Sequence, residues 1–130
     1  MKSTTVSPMA LERIGHIVER KRELLKLSLQ ACAHCALCAD SCFLFRQSGG
    51  DPTYSPSYKV INSIGKIARA RGSLPEAEYQ RIRELVWDKC VLCMRCRCPV
   101  GISLPPLIAA ARAACREAGV QRWYGARRNA

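Results

Sequence analysis

The sequence is poor in aromatic residues, acidic residues and histidine, and it has no long apolar run. Phe, Trp and Tyr together make up 6% of the chain, and no substrate-pocket signature is recognisable. No run of about 18 apolar residues occurs, which excludes a membrane-spanning helix. The most apolar stretch, Ile102 to Cys115, is interrupted by Pro105, Pro106 and Arg112. Met1 to Pro8 lacks the apolar core of a secretory signal. A cytoplasmic protein is therefore expected, in a compartment that keeps thiols reduced. No glycine-rich phosphate loop and no nucleophile–base pair is recognisable, so the chain reads as non-catalytic.

Acidic residues are outnumbered: 10 Asp and Glu against 21 Lys and Arg give a formal charge of +11 over 130 residues. A basic chain favours an acidic partner surface or a nucleic acid. Helical patterning accounts for nearly all the rest. Ser7 and Pro8 open a helix that runs to about Gln30, with Leu11, Ile14, Val18, Leu25 and Leu29 at helical spacing. Gln47 to Pro52 has loop composition. Ser55-Pro56 opens a second helix with Val60, Ile61, Ile64 and Ile67 on its stripe, ended by Gly72. Ser73-Leu74-Pro75-Glu76 reads as a capping box for a third helix, with Tyr79, Ile82, Leu85 and Val86 buried. A fourth is capped by Ser103, has Pro105 and Pro106 in its first turn, and ends at Gly119. No strand is expected. The prediction is an all-α domain over 1–120 followed by a basic tail, 121–130.

The chain is rich in one unusual thing. Nine cysteines are present, eight of them in two short runs. The first is Cys32, Cys35, Cys38 and Cys42, with gaps of two, two and three. The second is Cys90, Cys93, Cys96 and Cys98, with gaps of two, two and one, followed by Pro99. Three cysteines at two-residue gaps can wrap one iron–sulfur cubane, each thiolate taking a different iron. The fourth cysteine of such a run serves the other cluster in two-cluster ferredoxins. Crossed ligation follows: Cys32, Cys35, Cys38 and Cys98 for one 4Fe–4S cluster, and Cys90, Cys93, Cys96 and Cys42 for the other. The one-residue gap before Cys98 leaves open a three-iron first cluster or a non-cysteine fourth ligand. Two clusters at about −2 each bring the charge from +11 to about +7.

Other readings fit the pattern less well. A structural zinc takes its ligands as two separated pairs. A zinc-stapled nucleic-acid-binding module lacks any recognition element, and its basic residues are spread along every segment. His34 occupies a spacer position and His16 lies far off, so no histidine pair supports Rieske-type ligation. Cys115 falls on an apolar helix face and reads as a buried small hydrophobe. Arg95 and Arg97 sit inside the second cluster loop, placed to ease reduction or to meet an acidic partner. In the tail, Arg122, Trp123, Tyr124, Arg127 and Arg128 combine the side chains of interface anchors.

Two stretches carry a family likeness. Cys32 to Cys42, and Lys89-Cys90-Val91-Leu92-Cys93-Met94-Arg95-Cys96 followed by Cys98-Pro99-Val100-Gly101-Ile102, resemble the α-helical ferredoxin domain. Length and layout are most similar to the C-type subunit of heterodisulfide reductase and its relatives, over roughly residues 25–120. Leu107 to Gly119 is similar to the helix after that family's second motif. Two departures stand out: the second motif is two residues short, and Phe43 rather than proline follows Cys42. The resemblance implies an electron relay between a flavoprotein and a cysteine-rich catalytic partner, in heterodisulfide or sulfur-linked thiol chemistry. A free-standing dicluster ferredoxin is the alternative.

Overall fold

A computed structural model describes residues 6–120; the tail residues singled out above lie outside the described residues. Seven α-helices form the frame: α1 (Pro8–Arg20), α2 (Arg22–Ala31), α3 (Phe43–Gln47), α4 (Pro56–Ile61), α5 (Ile64–Arg69), α6 (Glu76–Arg83) and α7 (Pro105–Glu117). Short 3₁₀ turns cover Leu37–Ser41 and Pro52–Tyr54, and a π-helical turn, Glu84–Asp88, extends α6. No strand occurs among the described residues. The fold is all-α, with helices on either side of two cysteine-rich loops.

The proline starts are realised. Ser7 Oγ accepts from Ala10 N at 3.2 Å with Pro8 at the first helical position. Pro56 and Pro105 likewise stand at the starts of α4 and α7. Two predicted caps are not. α6 begins after Pro75, with no side-chain cap. Leu74 precedes a proline and is steered away from helical backbone, so a helix cannot run from Ser73 through Pro75. α7 is preceded by Leu104 rather than Ser103, and Leu104 is held by burial.

Two expected helices are each divided. The first breaks at Lys21, between α1 and α2, and the second at Asn62–Ser63, between α4 and α5. Neither break carries a glycine or proline. Both let apolar faces turn onto a shared core, where α7 is central and packs along α1 and against α4, α5 and α6. Ile14, Ile64, Ile67, Tyr79, Leu107 and Ile108 are fully enclosed there. Ala110, Ala111 and Ala114 keep the buried side of α7 thin enough for close approach.

Gly72 ends the α5 segment at a φ of +82°. A Cβ at this position would lie 3.0 Å from Ile14 Cγ2, so both backbone and space call for glycine. The buried Tyr79 hydroxyl donates to Gly72 O at 2.7 Å and fixes α6 against that turn.

Candidate metal centre

α2 ends at Ala31 and delivers the chain to Cys32. The π-helical extension of α6 delivers it to Cys90. Arg112 of α7 secures that second approach. Its Nε donates to Val86 O and an Nη donates to Cys90 O, both at 2.8 Å. Its guanidinium also lies over the Trp87 ring, 5.2 Å from the centroid. A frayed helix end is thereby held by a side chain from the core helix.

The two loops share one backbone trace. His34 and Ala36 flank Cys35 with φ of 57° and 63°, and Leu92 and Met94 flank Cys93 with φ of 54° and 67°. None of the four is glycine. Each left-handed residue costs about 1–2 kcal/mol, and strain of this kind gathers at functional sites. Such a trace turns successive amides inward as an anion-binding nest, a device of iron–sulfur sites. Leu92 N already points at Cys90 Sγ, at 3.4 Å.

The cysteines gather in two groups, each around its own apolar cavity. Cys32, Cys35, Cys38 and Cys98 line one, with Leu37, Val100 and Leu104 among its other walls. Cys42, Cys90, Cys93 and Cys96 line another, with Phe43, Pro56, Lys59 and Ile108 among its other walls. In each group three cysteines come from one run and the fourth from the other. The loops also touch directly: Arg97 N donates to Ser41 Oγ at 3.2 Å, and Ser41 Oγ donates to Cys38 O at 3.1 Å. Among the described residues no three His, Cys, Asp or Glu side chains converge on a point suited to a single metal ion. Each set of four cysteines lines one cavity, and a 4Fe–4S cubane takes four outer thiolate bonds. The donor chemistry fits as well, because soft thiolates suit iron–sulfur clusters, as they do zinc.

Burial sets the acid–base behaviour of Cys96. It pushes Cys96 up to about 11, helped by the neighbouring Cys90 and, less, Cys93, while Lys59 pulls the other way. Cluster ligands must be thiolates, so loading the site releases protons. Cys115 is 0% exposed and lies in the core between α7 and α6, its Sγ 4.0 Å from Tyr79 O. Burial pushes its thiol up to about 12. It lines neither cavity. His34 lines a separate surface cleft with Phe45, Tyr58 and Asn62.

Residues 28–102 match the family model of the 4Fe-4S dicluster domain. The chain belongs to this family. The dicluster domain binds two 4Fe–4S clusters, which places the protein among electron-transfer proteins. No curated protein and no solved structure matches the chain. No helix among the described residues is long and apolar enough to cross a membrane.

Sequence reasoning did not single out Lys59, which lines the second cavity of the dicluster domain, or Ser41, which joins its loops. It placed Arg112 as an interruption of an apolar stretch and within the family-like helix Leu107 to Gly119, without a role at the second cysteine loop. Lys59 does have a positional signal, lying three residues after Pro56 and next to Val60 on the buried side of α4.

Proposed function

We propose that the protein is the electron-relay component of an oxidoreductase complex, with Cys32, Cys35, Cys38 and Cys98 holding one 4Fe–4S cluster and Cys42, Cys90, Cys93 and Cys96 the other. The observation that carries the ligand assignment is the division of eight cysteines between two cavities, three from one run and one from the other in each. The short gap before Cys98 does not keep its side chain from the first cavity. A bound cluster would supply one-electron transfer. The residues of the chain hold it through sulfur, turn amides toward it, and keep water from its inner side with Leu104 at the first cavity and Ile108 at the second.

A docked relay is favoured over a freely diffusing ferredoxin by the surface around the cavities. Phe43, Val91 and Met94 are exposed at the second cavity, and Leu37 and Val100 at the first. Apolar side chains exposed next to both redox sites are suited to a partner on each. Arg95 and Arg97 lie exposed in the second loop and suit an acidic surface. In line with the likeness to the C-type subunit of heterodisulfide reductase, the partners are a flavoprotein and a cysteine-rich catalytic protein of a cytoplasmic, sulfur-metabolising complex.

Anaerobic purification with iron and sulfide quantification and EPR tests the reading. About eight iron and eight sulfide per chain are expected, with dithionite-reducible signals. Cys38→Ala and Cys93→Ala should each lose about half the iron, from different clusters, and Cys115→Ala none. A colourless, zinc-filled protein overturns the reading, as does iron loss in the Cys115 variant for the ligand assignment.

A further inference from the structure

Lys59 is a buried cation that the cluster-ligand reading does not use. It is 2% exposed. None of the ion pairs among the described residues involves it. Its Nζ reaches Cys42 Sγ, at 3.9 Å. An ammonium in apolar surroundings without a counter-anion is strongly disfavoured, and natural chains pair such charges or send them to the surface. Lys59 does neither. Its helix is anchored by Ser55 O, which accepts from Lys59 N at 3.0 Å. α4 packs against both the 3₁₀ turn that leads into Cys42 and the central helix α7. The side chain is thus directed inward, to the wall of the second cavity.

The two cavities differ in this respect. Lys59 is the charged side chain lining the second, whereas the lining of the first carries no charged side chain among the described residues. In other respects the sites match, with four cysteines each and the same left-handed residues around the middle cysteine.

We propose that Lys59 is the counter-charge of the cluster held by Cys42, Cys90, Cys93 and Cys96, and that it raises the reduction potential of that cluster relative to the same site without it. The inference rests on the two-cluster reading above. Four thiolates and a cubane core carry about −2 in the oxidised form, and one electron from a low-potential reductant takes this to about −3 with no bond made or broken. A fixed positive charge in a water-poor site stabilises the more negative form more, which favours reduction. The first cavity has no such charge, so Lys59 shifts electron occupancy of the pair toward the second cavity relative to a chain without it.

The test is an EPR-monitored redox titration of the full chain, poised with dithionite and mediators, on wild type, Lys59→Met and Lys59→Arg. Iron and sulfide are measured on each preparation. The wave of the second cluster is the one that Cys93→Ala removes. In a fully loaded Lys59→Met protein that wave should fall so that the reduced-to-oxidised ratio drops about tenfold at fixed poise, a shift of about 59 mV for one electron. Lys59→Arg should restore it, and the wave of the first cluster should move far less. Iron loss confined to the second cluster in Lys59→Met also supports the role, since a dianion without its cation binds poorly. The proposal is overturned if both waves stay in place at full loading, if both shift equally, or if both clusters are lost together. A wild-type protein without iron or signal overturns instead the two-cluster reading beneath it.

Discussion

At the scale of the residue, the nine cysteines divide by environment rather than by chemistry. Eight line cavities, and one is packed in the core. Burial holds the Cys115 proton more tightly in the folded protein, at about 12, than the ordinary thiol value of 9.0. The sign of the linkage follows: its contribution to stability is whole below about pH 9 and is lost as pH climbs toward about 12. Cys115→Ala should therefore flatten the alkaline fall in stability, read from denaturant midpoints between about pH 9 and 11. The same burial makes the thiol inert, so it should resist alkylation in the loaded protein at about pH 8 and react on unfolding. The periodicity of the fourth helix already marked Cys115 as buried. Nothing in a pattern of residue types marked Lys59 as buried beside Cys42 with no acidic partner, because that depends on which groups surround it in space.

At the scale of the element, helix beginnings were more legible than helix interiors. Pro8, Pro56 and Pro105 restrict φ locally and start α1, α4 and α7 in sequence and structure alike. The breaks at Lys21 and at Asn62–Ser63 leave no such mark, because the apolar stripe continues through them. The junction between α6 and the second cysteine loop is also a matter of contact. There Arg112 satisfies Val86 O and Cys90 O together. Arg112→Ala should cost about 1–3 kcal/mol by leaving those carbonyls unpaired, seen as a lower denaturant midpoint. Lysine at this position cannot reach two acceptors with a planar fork and should restore little. Loss of iron from the second cluster should accompany the change, because Cys90 is the first sulfur the junction positions.

At the scale of the whole molecule, two segments about fifty residues apart meet to complete both cavities. The loop around Cys32–Cys42 contributes one wall cysteine to the second site, and the loop around Cys90–Cys98 contributes one to the first. Clusters held in this way tie the halves of the chain together, and their binding free energy becomes folding free energy. Oxidative chelation of the iron should therefore lower helical circular dichroism and the melting temperature of the full chain, not merely remove its colour. Retention of the full helical signal at an unchanged melting temperature after complete iron removal contradicts that coupling.

The order of residues along the chain by itself determined the class of chemistry and most of the frame. Two-residue gaps between cysteines suit a cubane whatever the surrounding fold, and helical periodicity with proline starts acts over a few residues at a time. The same cysteine spacing also gave the two crossed sets of four cysteines. Only the tertiary structure decided that Cys98 reaches the first cavity across its shortened gap and that Lys59 lies beside Cys42. The physical reason is range. Spacing and propensity act between neighbours in sequence, whereas burial, charge pairing and cavity shape are set by segments that meet only after the helices pack.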